Sequence, residues 1–413
     1  MNIKLSSYFS IKWILYLLPF SALGIKLGDF LFSIIFIPII VLNISVIRSN
    51  RISTSISLIL LFLLSVFFFS AFGKFPLQSF APSLLILTVL LFPFIGVYPG
   101  ISKKLLIEDV QKSFLLLTGY CFLEFFISWL SIDLMFDIEN FIGFDGSTTT
   151  YRGIRRLRGG FLEPSVLAIA LNFYFAIFAQ SRILKKNRNT LLITCAILII
   201  LTFSSIGIIG LVLNLVFLLL SVKKRLSFSF SSLTIIVLGL VLLISQFWEQ
   251  VFKAFEKILN IATVIRTGNI EGSVGYRVSS LLIIPDFFGK TNIREALFGI
   301  GFSNYSEFIS SHYGLSIYSG FYDGSIGNVF SAVIISTGLI GFIFFLLWII
   351  RISLLPSKKS SLLLLLLISY GFLSFGNIIS PWIWQLVFIY KLIFCKPFKI
   401  KNNEINYSDD LLE

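Results

Sequence analysis

Tyr151 to Ser165 reads YRGIRRLRGGFLEPS. Four arginines (Arg152, Arg155, Arg156 and Arg158) fall close together, Gly159 and Gly160 follow, and Glu163-Pro164-Ser165 opens a long apolar run. Charge this dense beside an apolar run normally marks the cytoplasmic face of a membrane protein. Which face this stretch occupies therefore decides how the rest of the chain is laid out.

Composition sets the class. The chain has 413 residues, of which 57% are hydrophobic and 13% charged, with 47 Phe, and its mean hydropathy is +0.95. A soluble globular domain carries roughly twice that charged fraction. The apolar residues come in runs of about 17 to 25, the length that crosses a bilayer as a helix. The alternating segments of a membrane β-barrel are missing. These features predict an all-α polytopic membrane protein with about twelve spans, near 8–25, 30–47, 55–73, 80–99, 113–135, 162–180, 190–204, 206–221, 229–248, 327–350, 360–375 and 377–395. The pair covering 190–221 reads either as a tight hairpin or as one broken helix, because its halves are short and meet around Ser205 and Gly207.

Basic residues in short loops set the orientation. Arg48 and Arg51 follow the second span, and Lys103 and Lys104 follow the fourth. Arg182, Lys185, Lys186 and Arg188 follow the sixth, and Lys223, Lys224 and Arg225 the eighth. Arg351, Lys358 and Lys359 follow the tenth, and Lys391, Lys396, Lys399 and Lys401 come at the end. Every even-numbered exit is basic, so both termini are predicted to be cytoplasmic. The first apolar run serves as an uncleaved start. Two longer loops then face outward, 136–161 and 249–326, and the arginine stretch closes the first of them. The tail 402–413 reads as disordered cytoplasmic sequence. The net charge of +13 accordingly reports topology and contact with anionic lipid, with no nucleic-acid partner expected.

Arginines on the outer face need a ligand. Guanidinium groups bind phosphate bidentately and stay charged in a partly dry site. The glycine pair would let backbone approach a ligand. Pro164 suits the first turn of a helix, which puts Glu163 near the N-cap and aims the positive helix end at the same place. Glu163 either pairs with an arginine or serves as a base toward an acceptor hydroxyl. In the second outer loop, Val251, Phe255, Ile258 and Ala262 recur at helical spacing, as in a helix lying on the outer leaflet. Tyr276-Arg277 supplies a second candidate phosphate or sugar contact, and Gly299 and Gly301 read as a turn. Tyr305, Tyr313, Tyr318 and Tyr322 with Phe321 form an aromatic patch suited to sugar stacking or to an interfacial belt. His312 is the one histidine and a candidate acid or base. Glu124 lies inside a span, either partnering a neighbouring helix or lining a polar cavity. Cys121, Cys195 and Cys395 have no metal-ligand spacing and read as buried thiols. No metal site and no cofactor are expected.

At these residues the chain resembles the O-antigen polymerase and ligase superfamily of bacterial surface-polysaccharide assembly. The pattern Arg-x-x-Gly-x-Phe-x-Glu-Pro-Ser is met by Arg156, Gly159, Phe161, Glu163, Pro164 and Ser165. The Arg277 region followed by LFGIGFSNY looks like the family's second outer-loop motif. Asn328, followed after nine residues by Gly338-Leu-Ile-Gly341, looks like the start of the span after that loop. In the ligase branch a histidine precedes that Asn; here the position is Gly327, which favours the Wzy-type polymerase branch.

The resemblance implies a GT-C-like architecture in the bacterial cytoplasmic membrane. It implies metal-independent glycosyl transfer between undecaprenyl-diphosphate-linked oligosaccharides, with a chain-length regulator and a flippase as partners. Arg156 and Arg158, with Arg277 from the other loop, would stabilise the leaving diphosphate, and Glu163, His312 or Asp323 would accept the hydroxyl proton. Arg152, Arg155, Arg158, Gly159, Ser165, Tyr276, Tyr305 and Asn328 would bind substrate. A polysaccharide ligase and a non-enzymatic glycan flippase or transporter are the alternative classes.

Overall fold

The computed structural model describes residues 11–18, 24–27, 30–33, 38, 102–130, 150–151, 154–161, 163–181, 187–221, 272–301, 327–355, 357–374 and 381–394. Helices dominate. They are α1 (Lys103–Leu130), α2 (Pro164–Gln180), α3 (Arg188–Leu201), α4 (Ser205–Ser221), α5 (Gly272–Lys290), α6 (Ile293–Phe298), α7 (Val329–Ser353), α8 (Lys358–Ser374) and α9 (Pro381–Phe394). A further helical stretch covers residues 11–17. Two of them, α1 and α7, are long and apolar enough to cross a membrane; α2, α3, α4 and part of α9 are shorter apolar helices. The expected spans at 55–73, 80–99 and 229–248, the expected helix after Glu249 and the tail lie outside the described residues.

The centre of the bundle is α2. Every residue from Pro164 to Phe178 is buried, as expected of a helix that is apolar all round. It packs against α3, α4, α8 and α9. On the α1 side, Phe114, Tyr174 and Phe178 stack with centroids 5.2–6.0 Å apart. Ser113 Oγ bridges them to the N-terminal helical stretch, donating to the Leu15 carbonyl at 2.6 Å and lying 2.8 Å from the Tyr174 hydroxyl. A second aromatic cluster, Phe345, Trp348, Phe372 and Trp384, joins α7, α8 and α9, with the two indoles 4.7 Å apart.

The pair α3–α4 is two helices joined at Thr202–Ser204. Phe203 takes φ 45°, the one positive φ outside glycine among the described residues. Gly207 faces Ile199, four residues to either side of Phe203, and both helices pack chiefly on α2. Asn172 and Asn214 knit this interface. Asn172 donates to the carbonyls of Ala168 (2.9 Å) and Gly207 (3.1 Å), and Asn214 donates to Asn172. A side chain at Gly210 would collide with the Asn172 amide at 2.7 Å.

The all-α class stands, and two element boundaries need correction. Two short antiparallel pairs occur among the described residues: β1 (Gly24–Leu27) with β2 (Phe30–Ser33), and β3 (Thr150–Tyr151) with β4 (Ile154–Arg155). The second expected span therefore does not begin as a helix at Phe30. Residues 30–33 pair with 24–27 instead, and 154–155 with 150–151; a separation of only two residues between paired strands is a hairpin signal. Next, α1 begins about ten residues before the expected apolar boundary, because Lys103 and Lys104 are good helix formers and need not leave the helix. Gly272–Lys290 is helical with Pro285 inside it, and its apolar face (Ile283, Phe287) packs on Ala332, Ile334 and Ile335 of α7.

Gly299 and Gly301 do more than turn the chain. Helix α7 is broken at Gly338 (φ 64°, ψ −170°). In an unbroken helix the carbonyls of Ile335 and Ser336 would accept from residues 339 and 340. Here they accept from the amides of Ile300 (3.0 Å) and Gly301 (2.9 Å). Backbone thus crosses backbone so closely that a Cβ on Gly299 would overlap Ser336–Thr337, and one on Gly338 would overlap Leu297–Gly299. Gly299, at φ 78° and ψ −178°, shares with Gly338 a backbone region that only glycine occupies freely. Replacing either by alanine is expected to cost about 2–5 kcal/mol. Thermal unfolding of the purified variants in detergent checks this, and unchanged midpoints for both would show that the crossing is not formed.

Candidate functional site

The arginine stretch ends in a turn wedged between three elements. Arg156 Nε donates to the Thr202 carbonyl at 2.9 Å, and the Leu157 amide to the Leu201 carbonyl at 3.4 Å, both at the α3–α4 corner. From the opposite side comes Glu124 of α1, fully buried. Its two carboxylate oxygens accept from successive amides, Arg158 N at 3.2 Å and Gly159 N at 2.8 Å. The third element is the N-terminus of α2. Glu163 is its N-cap in extended conformation with Pro164 in the first turn, as the sequence predicts, and Glu163 Oε2 accepts from Ser165 Oγ at 2.9 Å.

The electrostatics follow from this frame. Successive amides around a left-handed residue form a concavity that binds anions, and Gly159 supplies the left-handed residue at φ 57°. That concavity is filled by the chain's own carboxylate. The amide of Gly159 is thus taken up by protein. A Cβ on Gly159 would point into Leu117 (3.2 Å), Cys121 (3.4 Å) and Leu167 (3.4 Å), all protein interior. Arg158 is 3% exposed, so it faces the bundle rather than the membrane surface. Arg156 and Glu163 are only half-buried, and these two side chains combine a charge with access from outside the turn.

The structure brings Arg156, Arg158, Gly159, Glu163 and Ser165 together. Arg155 ends β4, directly before the turn. A second group forms on α5 and α7. Tyr276 and Arg277 fall in the first half of α5, and one turn later Ser280 Oγ accepts from the Gly327 amide at 2.8 Å. Asn328 is fully buried and caps α7, its Oδ1 accepting from Ser331 N at 2.8 Å. A helix cap accounts for an asparagine there without a substrate. Arg152, Tyr305, His312 and Asp323 lie outside the described residues. No group of three His, Cys, Asp or Glu side chains suited to a metal occurs among the described residues. Cys121 and Cys195 are buried free thiols.

The sequence alone left Glu124 between a helix partner and a cavity wall. In the structure it holds loop backbone. A carboxylate inside an apolar span was the signal, while its partners, two main-chain amides, carry no mark in the sequence. Thr202 and Ser280 gave no signal at all. No family model matches the chain, and no curated protein matches it significantly.

Gly159→Ala is expected to lower stability by about 1–3 kcal/mol, from the left-handed backbone and the crowded Cβ. Asn328→Ala is expected to lose about 1 kcal/mol of helix capping. Denaturant or thermal midpoints of the detergent-solubilised protein measure both; a wild-type midpoint for Gly159→Ala would contradict the inward-facing turn.

Proposed function

We propose that this protein is a polysaccharide polymerase of the O-antigen type, joining undecaprenyl-diphosphate-linked repeat units on the outer face of the bacterial cytoplasmic membrane. The observation that carries the reading is a half-buried arginine, Arg156, held by its Nε on a turn locked into an apolar helical bundle, beside the N-terminus of α2. Locked cationic groups at the mouth of a membrane-embedded bundle suit a lipid diphosphate, whose charged head lies at the interface while its tail stays in the membrane.

In this reading the acceptor hydroxyl oxygen forms a bond to the anomeric carbon of the donor sugar as the bond from that carbon to the diphosphate oxygen breaks. The electron pair leaves with the lipid diphosphate, and negative charge grows there. A preorganised guanidinium is worth most at that point, because it is already oriented and poorly screened. Arg156 takes this role, with Arg277 from α5 as the second cation. Glu163, hydrogen-bonded to Ser165, takes the hydroxyl proton, and His312 or Asp323 are the other candidates. The positive charge that a metal supplies in other transferases comes from arginine here. The same reading includes about twelve spans, a GT-C-like layout, cytoplasmic termini, and outward-facing loops at 136–161 and 249–326.

Arg156→Ala and Arg277→Ala are each expected to leave protein levels intact while the surface glycan collapses from a ladder to single repeat units. Gel analysis of a deletion strain complemented with each variant reads this out, and normal ladders in both would overturn the proposal. The deletion strain also separates the classes: a ligase defect leaves no repeat unit attached, and a flippase defect traps units inside. For the topology, a membrane-impermeant thiol reagent is expected to label a cysteine placed at position 146 in intact cells and to spare one placed at 185.

A further inference from the structure

We propose that Glu124 is a positioning residue that fixes the arginine turn for anion binding, an inference resting on the reading of that turn as a diphosphate site. Glu124 is 0% exposed and sits in an apolar helix. Burying a carboxylate in such surroundings costs several kcal/mol unless it is fully paired. An apolar side chain would fill the space at less cost, so a carboxyl group there needs a reason.

The geometry supplies one. Each carboxylate oxygen takes one of two successive amides, Arg158 N on Oε1 and Gly159 N on Oε2. Only a group with two acceptors and no donor grips both, and an ionised acceptor makes the shorter and stronger bonds. Four consecutive residues are then tethered to two walls. Arg156 and Leu157 are bonded to the α3–α4 corner, and Arg158 with Gly159 to α1. Arg156 cannot swing as long as both walls hold.

Occupation of the amide concavity has a second effect. It denies that concavity to a phosphate, so a bound diphosphate is met by guanidinium side chains rather than by backbone. Glu124 thereby sets both where Arg156 points and which groups are left to recognise the anion. It touches no substrate and acts through the turn.

The test uses the full-length protein in lipid nanodiscs. Glu124→Gln keeps the volume but presents an NH2 donor to one of the two amides, and Glu124→Asp is one methylene too short to reach both. The turn keeps its tethers to the α3–α4 corner in either variant, so the bundle is expected to stay folded. Hydrogen exchange at Arg158 and Gly159 is expected to quicken about tenfold or more, with peptides from α2 and α3 unchanged. In cells, both variants are expected to shorten the glycan ladder.

Unchanged exchange at the turn in both variants overturns the anchoring. Faster exchange with a full-length ladder, where Arg156→Ala has lost it, overturns the positioning role. A full ladder in every variant, Arg156→Ala included, defeats the polymerase reading instead, and the anchoring is then decided by the exchange rates alone.

Discussion

One carboxylate holds the arginine turn in place. Glu124 reaches out of α1 and binds the amides of Arg158 and Gly159, thirty-four and thirty-five residues further along the chain. Apolar surroundings leave backbone amides no water to bond to. A loop can enter such a place only if something there accepts its hydrogens. The carboxylate does so for two amides at once, and the left-handed Gly159 turns them to face it. Remaining contacts of the turn, Arg156 to Thr202 and Leu157 to Leu201, close it from the other side.

The same constraint shapes the second motif. Breaking α7 at Gly338 deprives two carbonyls of their helical donors, and the segment around Gly299–Gly301 supplies replacements from its own backbone. Glycine is required on both sides because the two main chains meet with no room for a Cβ. The segment at Gly299–Gly301 and α7 are thus a single interlocked unit. Ser280 extends this unit by accepting from Gly327, which places α5, and with it Arg277, relative to the start of α7.

These two frames explain how sparse charge is organised in an apolar protein. Arg158 is drawn inward with the turn, while Arg156 and Glu163 remain half-buried at the head of α2. The buried pair Asn172–Asn214 follows a similar pattern, Asn214 donating to Asn172 and Asn172 donating to the backbone of α2 and α4. The polar groups named here serve main-chain satisfaction first.

Much of this was legible in the sequence. Apolar runs fixed the helices α2, α4, α7 and α8 to within a few residues, because length and apolarity are local properties. Pro164 and Glu163 announced the start of α2, and Asn328 stood where α7 begins, because caps are made by neighbours in sequence. The hairpins were missed because strands of two to four residues are too short to show a period. The break in α7 was missed because Gly338 reads like any other glycine in an apolar run. Sequence likewise named the arginine and glycine cluster but could not say which way it faced. Tertiary structure alone decided that Gly159 points inward, that Glu124 fills the concavity a phosphate was expected to take, and that Arg156 rather than Arg158 is accessible. The reason is physical: a buried amide bonds to whatever acceptor the fold carries to it, and that acceptor lies far away along the chain.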